Sequence, residues 1–133
     1  MENKISKLKI LSSNEFGSFK QKLGFKIDYR GYLIFNKFTS DVFNFNSCTK
    51  VLIAKEDKEQ SYLTPDFYMR FIDEFEEDKR AFNLIKVGGN DNRFRLILNP
   101  ISKYFAKSKS SIRFLLKKVE IEDENWYKII KEE

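Results

Sequence analysis

Histidine is absent from this chain of 133 residues, cysteine occurs once, and glycine and proline are scarce at 5 and 2 copies. Each shortage excludes something. Without histidine there is no Ser-His-Asp or Cys-His nucleophile system, no histidine-held metal, and none of the usual general bases near neutral pH. The lone Cys48 makes neither an intramolecular disulfide nor a zinc site, and with no histidine to activate it, it reads as a structural thiol. So few glycines and prolines argue against a flexible linker. The apolar runs are too short to span a bilayer, and MENKISKLKILSS lacks the continuous apolar core of a signal peptide. The expectation is a cytoplasmic protein with one domain over residues 1–133, no cofactor, no metal and no membrane partner.

What is present is aromatic and basic. There are 14 Phe, 6 Tyr and 1 Trp, and hydrophobic residues at 41% beside charged residues at 34% describe a globular chain rather than a disordered one. Lys and Arg number 25 against 20 Asp and Glu, a net charge of +5 that mildly favours an anionic partner.

The cations are concentrated. Residues 93–118, RFRLILNPISKYFAKSKSSIRFLLKK, hold no acid. Arg93 and Arg95 alternate onto one face of a strand, while Phe94, Leu96 and Leu98 take the other. Lys103 and Lys107 lie one helical turn apart. Arg113 and Lys117 share a strand face, with Lys109 in the preceding loop. If contiguous, these side chains form a phosphate-binding patch. The competing reading is a solvated barrel surface neutralised by Glu120, Glu122, Asp123 and Glu124. Tyr29, Tyr32, Phe94, Tyr104 and Trp126 interleave with the cations. Aromatics beside cations can stack on single-stranded bases, although at strand and helix spacing they are more often core.

The same segment is half of an internal repeat. Residues 28–59 align without gaps on 91–122, with Asp28/Asp91, Arg30/Arg93, Leu33/Leu96, Ile34/Ile97, Asn36/Asn99, Leu52/Leu115 and Lys55/Lys118 identical. Repeat one covers about 25–71 and repeat two about 82–130, joined by an acidic connector, 72–81, whose DEFEED run (73–78) reads as a solvated turn or loop. In the first unit, Phe25–Tyr29 and Tyr32–Phe35 are predicted strands about an Arg30-Gly31 turn. Asn36 caps a short helix with Phe38, Val42 and Phe43 on its apolar face. Strands follow at 50–55 and up to about Phe71, with Phe67, Met69 and Phe71 on one face. The second unit repeats this order: strand 82–87, a Gly88–Asn92 turn and strand 93–98. A helix begins at Asn99-Pro100 with Ile101, Tyr104 and Phe105 apolar. Strand 112–119, an acidic turn 120–124 and strand 125–130 close the unit. Ahead of the repeats, 5–11 is a candidate edge strand and 13–24 a candidate short helix.

Asp28 and Asp91 each precede an arginine by two residues at a turn, so turn capping or pairing with that arginine is expected rather than acid–base chemistry. Gly88-Gly89-Asn90 is a hairpin turn without the lysine of a phosphate-binding loop. Two β-α-β-β units that cannot close a core alone imply an α+β, mainly β fold: a compact pseudo-two-fold barrel with two short helices.

The run Asp28-Tyr29-Arg30-Gly31-Tyr32-Leu33-Ile34-Phe35-Asn36-Lys37-Phe38-Thr39 resembles the β-α-β-β unit of the AbrB/MraZ swapped-hairpin barrels, as does 91–102. In that unit a D-x-x-G-R-[IV]-x-[IL]-P strand leads into a short helix and a hairpin. Here Asn36 stands where that motif has proline, Pro100 is shifted by one place, and the Gly-Asp turn before the hairpin is missing from both copies. The resemblance implies DNA contact by arginines on and near the first strand, which correspond to Arg30, Arg93 and Arg95.

The expected function is therefore a non-enzymatic domain that binds nucleic acid or a nucleoprotein through a basic face in the second repeat, with a regulator as one version. Its candidate residues are Arg93, Arg95, Lys103, Lys107, Lys109, Arg113 and Lys117, with Arg30 from the first repeat. The resemblance favours DNA and the aromatics favour RNA; monomer and homodimer both stay open. The alternative is a small phage or mobile-element protein, suggested by a Lys-, Asn-, Ile- and Phe-rich composition. It would bind and inhibit a host protein such as an RNA-guided nuclease, in the manner of an anti-CRISPR.

Overall fold

The computed structural model describes residues 21–56, 65–88, 92–101, 104 and 110–132. The expected strand 5–11, most of the expected helix 13–24, the turn at 57–60, Asp91, Lys103, Phe105, Lys107 and Lys109 lie outside these residues.

Eight antiparallel strands close into a barrel. They are β1 (Gly24–Ile27), β2 (Leu33–Phe35), β3 (Lys50–Lys55), β4 (Phe67–Ile72), β5 (Phe82–Val87), β6 (Arg93–Leu96), β7 (Ile112–Ile121) and β8 (Glu124–Lys131); among the described residues a helix, α1 (Lys37–Val42), lies between β2 and β3. The order around the barrel is β1-β2-β6-β5-β3-β4-β8-β7, returning to β1. Each hairpin is thus flanked on both sides by strands from the other half of the chain.

Period-two alternation builds the interior. Phe25, Ile27, Leu33, Phe35, Val51, Phe67, Met69, Leu84, Phe94, Leu96, Phe114 and Leu116 point inward and are buried. Phe25 stacks on Phe114 at 5.0 Å between centroids, and Phe35 meets Phe45 edge-on at 5.2 Å. Among the described residues no helix is long and apolar enough to cross a membrane.

Local chemistry fixes the turns. The Asp28 carboxylate accepts from the backbone amides of Arg30 (2.9 Å) and Tyr32 (3.0 Å), and Gly31 takes φ 90°, a conformation that suits a residue without Cβ. The Asn36 side chain caps α1 by accepting from the Thr39 amide at 2.8 Å, as the sequence predicts. Asn99 accepts from the Ile101 amide at 3.0 Å and carries Ile101 into the core.

Three expectations are corrected. The apolar face expected for α1 is not the buried one: Phe38 and Val42 are exposed, Phe43 is half-buried, and Thr39 and Ser40 are buried. The Gly24 amide donates to the Thr39 hydroxyl at 2.7 Å, so a bond to β1 orients this six-residue helix rather than its apolar spacing. The strand expected to reach Leu98 ends at Leu96, because Asn99 donates to the Gly31 carbonyl at 2.7 Å and draws the chain across the β1–β2 turn; Leu98 is left exposed. The acidic turn expected over 120–124 contracts to Glu122-Asp123, both at positive φ, and the strands run on to pair Ile121 with Glu124. The connector is an exposed turn, as expected, with Asp73, Glu74, Phe75 and Glu77 exposed; within it Glu76 accepts from both terminal guanidinium nitrogens of Arg70, one of which also lies 3.3 Å from Glu124.

Candidate nucleic-acid interface

The pairing β7–β1–β2–β6–β5 aligns one residue from each strand: Arg113, Lys26, Ile34, Arg95 and Ile85. Their chain neighbours Phe114, Phe25, Phe35, Phe94 and Leu84 are in the core, so alternation turns all five outward; Ile34 is nonetheless covered, at 7% exposure, while Lys26 and Arg95 are half-buried and Arg113 is exposed. Three are cations. From Arg113 to Arg95 the row crosses three strand spacings, about 14 Å. Arg93 lies two residues from Arg95 on the same side of β6, opposite Val87.

A stacked cluster stands above this row. The Tyr32 ring has the Arg95 guanidinium carbon 4.4 Å from its centroid and that of Arg30 at 4.6 Å. Arg30 also lies over Tyr29, at 5.7 Å. Tyr29 is 65% exposed and Tyr32 38%. The β2–β6 pairing makes this possible, because it sets the turn of the first half beside a strand of the second.

Electrostatics separates the two arginines of the stack. Arg30 donates through Nε (3.1 Å) and Nη2 (2.7 Å) to Asp28 Oδ2. Burial alone would push the Asp28 carboxyl up, but Arg30 and the amides of Tyr32 and Arg30 outweigh it and hold the group below its ordinary value. The expected Asp28–Arg30 pairing is therefore present, and the Arg30 charge is largely offset. Arg95 makes a long 3.4 Å contact to the Leu96 carbonyl, and no acid pairs with it among the described residues.

Of the residues expected from the sequence, the structure brings Arg30 and Arg95 onto one ring and places Arg113 in the same outer row, with Arg93 beside Arg95. Lys117 lies four residues up β7, about 13 Å from Arg113, and pairs in register with Lys128. Lys103, Lys107 and Lys109 lie outside the described residues. The acids expected to neutralise the patch sit near the far end of the β7–β8 hairpin. Glu120 is seven residues from Arg113, about 24 Å along the strand. A nearer acid is Glu132, whose amide donates to the Arg113 carbonyl. Lys26 was missed: its alternation is legible, but its position between Arg113 and Ile34 depends on a pairing between distant strands.

On the opposite side, where β4 meets β8, a cavity of about 370 Å³ is lined by residues including Phe43, Phe71, Tyr127 and Arg70. Its arginine is committed to Glu76 and Glu124. Cys48 is free and exposed. Among the described residues no group of three potential ligands could hold a metal ion.

The outer wall can therefore offer guanidinium and ammonium donors to phosphate oxygens and aromatic faces to bases. No family model, no curated protein and no solved structure matches this chain.

Proposed function

We propose that this protein is a binding domain for nucleic acid, using the outer wall of β7, β1, β2 and β6. The carrying observation is the row Arg113–Lys26–Ile34–Arg95 beneath the Arg30–Tyr32–Arg95 stack, which joins cations to exposed aromatic surface. The face draws on both halves of the chain rather than on the second alone. Phosphate contact by Arg95, Lys26 and Arg113 predicts binding that weakens steeply with salt.

The duplicated architecture and the AbrB/MraZ-like reading belong to the same proposal. Exchanging β1 with β5, β2 with β6, β3 with β7 and β4 with β8 maps the strand order onto itself, which supports two interleaved units. Asn36 and Asn99, equivalent in the repeat, both accept from a backbone amide just ahead of them. Arg30 and Arg95, which correspond to that family's first-strand arginines, meet on Tyr32.

The test is anisotropy of labelled oligonucleotides at two salt concentrations with wild type and Arg95→Glu. Salt-sensitive binding that the variant weakens tenfold or so supports the assignment; equal affinity of the two proteins refutes it.

A protein partner is the second reading, in which Phe75, 87% exposed on the connector between β4 and β5, is the aromatic anchor to be buried. Capture that survives nuclease and is lost in Phe75→Ser would support it over the first.

A further inference from the structure

Tyr29 sits in a turn that is held from several sides. The Asp28 carboxylate takes two backbone amides, the Gly31 amide donates to the Asp28 carbonyl at 2.9 Å, and Asn99 donates to the Gly31 carbonyl at 2.7 Å. The ring is therefore exposed on an ordered support rather than on a loose loop. Both neighbouring cations of the stack lie over Tyr32, whereas only Arg30, at 5.7 Å, meets Tyr29 among the described residues.

Resting on the nucleic-acid reading, we propose that the polymer is single-stranded, with an unpaired base stacked on Tyr29 and its flanking phosphates met by Arg95 and Lys26. Three physical points lead there. A duplex buries the faces of its bases and offers a protein only edges and phosphates, so an exposed flat ring beside a basic row is of use chiefly to a base that is unstacked. Arg30, neutralised by Asp28, acts with Tyr29 and Tyr32 as a stacking platform rather than as a phosphate anchor. The cationic row is also short, three strand spacings across a closed barrel, a length that the backbone of a few flexible nucleotides can track.

The experiment uses the full chain and three fluorescein-labelled probes of about 12 nucleotides: single-stranded RNA, single-stranded DNA and duplex DNA. Wild type is compared with Tyr29→Ala and Tyr29→Phe, with circular dichroism confirming that each is folded. The expected result is tighter binding of one or both single strands than of the duplex. Tyr29→Ala then weakens single-strand binding about five- to a hundredfold, more than it weakens duplex binding, and Tyr29→Phe keeps wild-type affinity. The two single-stranded arms show whether the sugar matters. Duplex binding equal to or tighter than single-strand binding, or Tyr29→Ala without effect, overturns the single-strand proposal while leaving nucleic-acid binding in place. No binding of any probe at low salt overturns both.

Discussion

Arg95 and Tyr32 come from opposite halves of the chain, yet the guanidinium carbon of one stands 4.4 Å from the ring centre of the other. The contact joins the cationic row to the aromatic turn. Arg95→Ala removes both a charge and a stacking partner, so its effect on oligonucleotide binding should exceed that of Arg95→Lys, which keeps the charge alone. Anisotropy titrations of the two variants at one salt concentration decide the order.

The row also predicts which lysines matter. Lys26→Glu lies between Arg113 and Ile34 and should weaken binding several-fold and flatten the salt dependence by about one counterion. Lys117→Glu, farther along β7, should leave both close to wild type. A log–log plot of affinity against salt for the two variants is the check.

Asp28 makes stability pH-dependent in a defined direction. Its folded value lies below the ordinary 3.8, so the charge contributes stability above that value, and the contribution disappears as pH falls through the lower folded value. Asp28→Asn should cost about 2 kcal/mol near neutrality, with the difference from wild type shrinking in acid. Urea unfolding of both proteins between about pH 7 and pH 2 measures this.

Thr39 fastens α1 to the start of β1. Thr39→Val keeps the shape but loses the hydroxyl that meets the Gly24 amide and carbonyl. The loss should be about 1–3 kcal/mol, larger than for the exposed Phe38→Ala. Chemical denaturation separates the two.

Phe114 faces Phe25 at the seam where β7 closes on β1. Phe114→Ala should destabilise by about 3–5 kcal/mol, and Phe114→Leu by less. Thermal melts of both variants are the measurement.

Local signals are legible in the sequence. The strands of both hairpin pairs, the Asn36 cap and the Asp28 turn follow from alternation, capping and turn chemistry that span a few residues. The face of α1 did not, because a six-residue helix is too short for its apolar spacing to outweigh the Thr39–Gly24 bond. The strand end at Leu96 was hidden for a related reason: the Asn99 contact that diverts the chain reaches back to Gly31. The candidate face was half legible. Charge and spacing alone single out Arg93, Arg95, Arg113 and Arg30 as candidates, but Lys26 joins them only through the β1–β7 ladder, and the Tyr32 stack only through β2–β6.

The interleaved strand order also sets a timetable for synthesis. Every hairpin of the first half has its outer neighbours in the second: β1 needs β7, β2 needs β6, β3 needs β5 and β4 needs β8. A ribosome that has released only the first half therefore exposes four unmatched strand edges, and the ladder closes only when β7 and β8 arrive. Until then the nascent chain is vulnerable to pairing with a second copy of itself.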